Sequence, residues 1–111
     1  MDYPDDTTFY VRLSLSLAKH GMEDEVLKLH RNLVESLRGQ PGFVRGYVIV
    51  GGDPDGRIGH LNVYESEAAA DQVAQTQHVL SVRSDLLQFI EEDSHVERSW
   101  TVFDPQLAAA T

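Results

Sequence analysis

"RIGHLNVYES", residues 57–66, decides how this chain folds. Side chains alternate in direction along a strand, so Leu61 and Val63 share one face while Ile58, His60, Asn62 and Tyr64 share the other. The first set is ordinary core material. The second combines an aliphatic group, an imidazole, a carboxamide and a phenol, a mixture suited neither to a plain core nor to a solvated surface. Downstream, Ser66 stands before "EAAADQVAQ" and reads as the cap of a helix. Upstream, "GGDPDGR" (51–57) is a turn by composition. It links to "FVRGYVIV" (43–50), where Val44, Val48 and Val50 alternate with Phe43, Arg45, Tyr47 and Ile49, making residues 43–64 a hairpin.

Farther out, "TTFYVRLSLSL" (7–17) alternates again, with Phe9, Val11, Leu13, Leu15 and Leu17 opposite Tyr10, Arg12, Ser14 and Ser16. In "GMEDEVLKLHRNLVESLRGQPG" the period changes: Met22, Val26, Leu29, Leu33 and Leu37 recur at steps of three and four, the stripe of an amphipathic helix. Acidic residues crowd its first turn, where the helix dipole favours them, and Gly39, Pro41 and Gly42 stop it. A further helical stretch runs from about His78 to Ile90, and "HVERSWTVF" closes as a strand. The order is β-α-β-β-α-β with the second helix in two pieces, an α+β, ferredoxin-like antiparallel sheet with helices on one face. Residues 1–6 read as a disordered leader, 7–103 as one domain and 104–111 as a tail. The more apolar strand faces are expected to meet the helices. The faces carrying Tyr10, Arg12, Tyr47, His60, Asn62 and Tyr64 are then left uncovered, and such a face closes against something.

Composition narrows the function classes. Eighteen acidic against nine basic residues give a net charge of −9, without the basic footprint that nucleic acid or an anionic membrane requires. The chain has no cysteine, which removes disulfides, thiol nucleophiles and thiolate metal sites together. "MDYPDDTTFY" has no apolar core and is not a signal peptide, and no run approaches a membrane span, so a cytoplasmic location is expected. The five histidines show no metal-ligand spacing, so no metal site is expected. "GGDPDG" lacks the Gly-Lys-Ser/Thr of a P-loop. Counted from Asp53 as a calcium loop, its twelfth position is Tyr64 rather than Glu.

Three pieces together, "QPGFVRGYVI", "LNVYESEAAAD" and the later "QH", resemble the antibiotic biosynthesis monooxygenase domains of the dimeric α/β-barrel superfamily. The resemblance extends over about residues 7–103. It implies that two subunits close a barrel, sheet against sheet, and that the uncovered face becomes partly dimer interface and partly pocket lining. It also implies a homodimer that holds a small-molecule ligand and uses no cofactor. Members that hydroxylate aromatic polyketides read Asn-x-x-x-Trp on the third strand, where this chain has His60 and Tyr64. The chemistry needs a group that polarises or deprotonates a phenol and donors that hold the oxyanion. His60 is the expected base and Tyr64 the expected donor, with Tyr10, Arg12, Tyr47, Asn62, His78 and Arg83 as substrate-binding residues.

Each of these has a plainer alternative. His60, Asn62 and Tyr64 also suit a hydrogen-bonded polar cluster. Arg83 also suits a surface pair with Asp85 or Glu91, His78 a cap at the helix break, and His30 a packed position at the edge of the first helix. Trp100 suits core or dimer contact. The haem-degrading branch of the superfamily carries an Asn on the first strand and a Trp and a His on the second helical region. The matching positions here hold Tyr10, Arg12, Ser14 and Ser16, then Ala74 and Ser84, so the resemblance does not extend to haem degradation. Two functions remain: a cofactor-independent monooxygenase acting on a small phenolic or quinone-like molecule, and a non-catalytic barrel that binds an apolar one.

Overall fold

The computed structural model describes residues 8–51 and 56–105, so the expected leader, the tip of the "GGDPDGR" turn and most of the tail lie outside the described residues. The elements are β1 (Thr8–Ser16), α1 (Glu23–Ser36), β2 (Phe43–Val50), β3 (Ile58–Tyr64), α2 (Glu67–Ala74), α3 (Gln77–Phe89) and β4 (Val96–Phe103). The four strands form one antiparallel sheet in the order β2-β3-β1-β4. This is the ferredoxin-like arrangement, with the second helix broken into two as the sequence pattern predicts.

Local chemistry explains the boundaries. Ser66 accepts a hydrogen bond from the Ala69 amide at 3.1 Å and caps α2. The N-cap of α1, Met22, has no side chain able to cap, and Glu23, Asp24 and Glu25 supply negative charge to the free amides instead. Past the end of α1, Gly42 takes φ +81° and lies against Ala69 of α2, where a Cβ would collide. After α3 the chain is pinned to the end of β1. The Glu91 amide donates to the Leu17 carbonyl at 2.7 Å, and the buried Ser94 hydroxyl accepts from the Leu17 amide at 3.1 Å. These bonds fix where β4 starts, and so where His95 sits.

One expectation is overturned: the faces of β1 and β3 are reversed, while Arg45, Tyr47 and Ile49 of β2 lie on the open side as expected. Ile58 and Tyr64 belong to the buried cluster that holds Val26, Leu33 and Leu37 of the α1 region. His60 meets His30 of α1, and Arg12 meets Asp71 of α2. The mixed polar face therefore packs under the helices. The apolar set of Val11, Leu13, Leu61 and Val63 faces away from the helices, with Val11 buried and the other three half-buried. Pairing confirms the two sets, since Tyr10, Arg12, Ser14 and Ser16 lie opposite Tyr64, Asn62, His60 and Ile58. Alternation settles which residues share a face, but not which face receives the helices.

A bulge between Phe43 and Arg45 also changes the phase of β2. Phe43 joins the helix side, its ring edge-on to Tyr64 at 5.8 Å, while Arg45, Tyr47 and Ile49 point to the open side. Strand β4 lies at the sheet edge and is exposed on both faces, with Trp100 48% accessible.

Candidate functional site

Between sheet and helices lies a cavity of about 150 Å³. Its roof is apolar, from Leu33, Val73, Val79 and Leu86 of the helices. Its floor is the polar strand face: Arg12 and Ser14 of β1, and His60, Asn62 and Tyr64 of β3. Arg83, Leu87, His95 and Glu97 stand on the side toward β4. An engineered void of about this volume, in another protein, holds one benzene ring. An apolar shell with few convergent polar groups is the usual make-up of a small-molecule site.

The floor is wired by specific contacts. His30 is 1% exposed, and its Nδ1 lies 2.9 Å from Nδ1 of His60, with the ring centroids 5.1 Å apart. Asn62, 2% exposed, donates from Nδ2 to the Tyr64 hydroxyl at 3.3 Å, while its Oδ1 has no partner. Room for that carboxamide comes from Gly46 on β2, where a Cβ would stand 2.5 Å from Asn62 Oδ1. Arg12 pairs with Asp71 at 2.6 Å and lies over the Tyr10 ring, 5.2 Å from its centroid. Ser14 Oγ lies 2.8 Å from Nε2 of His95. Arg83 is within 3.9 Å of Glu97.

Burial, reinforced by His30, His95 and Arg83, pushes His60 down to about 3. Burial and His95 take His30 down to about 4. Both rings are thus neutral at neutral pH, and His60 is a poor base, contrary to the sequence expectation of one working near pH 7. His60 lines the cavity. Tyr64 is raised, chiefly by burial, against the opposing effects of Asn62 and Arg12. It stays a phenol, and because its oxygen accepts from Asn62 its own O–H is left to donate.

A model of the antibiotic biosynthesis monooxygenase family matches residues 8–84. The chain belongs to that family. Comparison with curated proteins gave no match. Among solved structures, SO0527 from Shewanella oneidensis is 16% identical with a TM-score of 0.77, over 86% of this chain and 92% of that one. Rv0793 from Mycobacterium tuberculosis is 14% identical with a TM-score of 0.76, over 86% and 96%. SnoaB from Streptomyces nogalater, described as a cofactor-independent oxygenase, is 17% identical with a TM-score of 0.69, over 86% and 93%. At these identities the likeness concerns the fold.

Within this family fold, the residues singled out from sequence divide in two. Arg12, His60, Asn62, Tyr64 and Arg83 come together on one cavity, and Tyr10 packs beside it beneath Arg12. Tyr47, 49% exposed, points to the open face of the sheet, because the bulge fixes its phase with Leu61. His78 is exposed in the first turn of α3. Neither lines the cavity between sheet and helices. Arg83 is near Glu97 rather than the expected Asp85 or Glu91.

Sequence reasoning placed His30 as packed, as its 1% exposure bears out, but missed its place on the cavity, and missed Asp71, His95 and Glu97. His30 had a visible signal, lying four residues after Val26 and three before Leu33 on the apolar stripe of α1. Asp71 and His95 depend on partners 59 and 81 residues away, and Glu97 on Arg83 of a different element, so no local pattern announces them.

Proposed function

We propose that this family member is a cofactor-independent oxygenase that takes a one-ring phenolic or quinone-like molecule into the cavity between sheet and helices. The observation that carries it is the floor: Arg12, His60 and Tyr64 converge beneath an apolar roof of one-ring size. An aromatic ring suits the roof, and its oxygen suits the floor. Phenolate can reduce dioxygen without a cofactor. In the balanced reaction a phenol and O₂ give a quinone and water, the ring supplying all four electrons, one oxygen atom remaining on it and the other leaving as water. Donors fixed before the reaction hold the developing oxyanion at little reorganisation cost. With His60 a poor base, substrates already ionised near neutral pH are favoured.

We further propose a homodimer closed through the open sheet face, supported by the uncovered apolar set and by the family fold. A non-catalytic binding protein is the competing reading, favoured by His60 and Tyr64 standing where the cofactor-independent branch has Asn and Trp.

Oxygen uptake with hydroquinones and acidic phenols separates the two. The oxygenase reading predicts turnover that falls about a hundredfold in His60→Ala, the scale for one lost oxyanion donor. Binding without oxygen consumption across the series would establish the competing reading.

A further inference from the structure

The His30–His60 contact determines more than packing. One proton lies between two Nδ1 atoms 2.9 Å apart, and it belongs to one ring or the other. If His60 carries it, His30 must hold its own proton on Nε2, which is buried without any partner. If His30 carries it, Nε2 of His30 is a bare lone pair and the buried N–H has its acceptor. Among buried backbone groups an orphaned N–H is rarer than an under-satisfied acceptor, and the same ordering favours the arrangement that leaves a lone pair rather than an N–H without a partner. Doubly protonated rings are opposed by burial and by the charges facing His60: His30 on α1, Arg83 on α3 and His95 before β4.

We infer that His30 is a positioning residue that holds His60 as the Nε2–H tautomer, so that the cavity floor presents a neutral N–H donor to an anionic or carbonyl oxygen. Tyr64 supplies a second donor from the same strand face, its oxygen already accepting from Asn62. A ring nitrogen is oriented by what its other nitrogen bonds, and here the orienting group is a second imidazole rather than a carboxylate. The inference rests on the cavity being the ligand site and specifies the chemistry it selects: a ligand oxygen that accepts, not one that donates.

The test uses ¹⁵N-labelled full-length protein without ligand, and long-range proton–nitrogen correlations of the imidazoles at neutral pH, assigned with His60→Gln. The expected result is a bare Nδ1 and a protonated Nε2 on His60, with the reverse on His30. A proton on Nδ1 of His60 overturns the inference. His30→Leu should leave His60 exchanging between tautomers and weaken 4-nitrophenolate binding about tenfold. His30→Asn, which keeps an N–H near the same point, should restore the tautomer and bring affinity within about threefold of wild type. An unchanged His60 tautomer in His30→Leu would remove His30 from the role. Should that variant not fold, the wild-type spectrum decides alone. The fixed tautomer without oxygen uptake would support this inference while counting against the oxygenase.

Discussion

His60 and His30 bury two imidazoles against each other, and the consequence is measurable as a pH dependence of stability. Unfolded, each ring takes up a proton near pH 6.5. Folded, they do so only near 3 and 4 respectively. Between those limits the unfolded chain binds more protons, so this contribution to stability is complete above pH 6.5 and declines as the pH falls from there toward 4. Thermal or urea melts of wild type should show a loss of about 1.4 kcal/mol per histidine for each pH unit in that window. A His30→Leu/His60→Leu variant should lose correspondingly less, and equal slopes would mean that the rings are hydrated in the folded protein. His60→Ala should itself cost about 1–3 kcal/mol, because His30 is left buried without its partner. The position of His30 on the α1 stripe was legible, but the polar role was not, because its partner follows 30 residues later on a different element.

Strands and helices were legible almost to their ends because each carries one clear period and one stop signal. The "FVRGYVIV" alternation marked β2, Ser66 marked α2, and Gly39 with Pro41 and Gly42 marked the end of α1. The assignment of sheet faces was not legible. A period of two is symmetric, and assigning the more apolar side to the helices assumes that only one layer covers the sheet. Here the helices enclose a polar-floored cavity, while the more apolar side of β1 and β3 faces away from them. The β2 bulge was equally hidden, since inserting one residue leaves no compositional trace. Beyond the bulge, Gly46 lies against Asn62 and Val34. Gly46→Ala should therefore push the Asn62 carboxamide aside, cost about 1–3 kcal/mol as overpacking does, and abolish ligand binding in calorimetry. Normal affinity in a folded Gly46→Ala protein would show that the cavity floor tolerates a displaced Asn62.

At the scale of the whole molecule, one sheet carries two different jobs. Its helix side floors the cavity, and its open side carries the half-buried Leu13, Leu61 and Val63 around the buried Val11, with the exposed Tyr47 and Trp100 beyond them. An apolar sheet face of this extent is expected to be covered by a second copy. Light scattering at micromolar concentration should give twice the chain mass, and Trp100→Glu, which puts a charge into that face, should give the monomer mass. A monomeric wild type would remove the barrel from the account while leaving each protomer's cavity in place. The central claim, that ligand enters between sheet and helices, is tested most directly by titrating phenol into methyl-labelled protein under anaerobic conditions. Leucine and valine methyls sample both sides of the sheet. Perturbation of Leu33, Val73, Val79 and Leu86, with Leu61 and Val63 unmoved, is the predicted result. Perturbation confined to Leu61 and Val63 would contradict it and move the site to the open face.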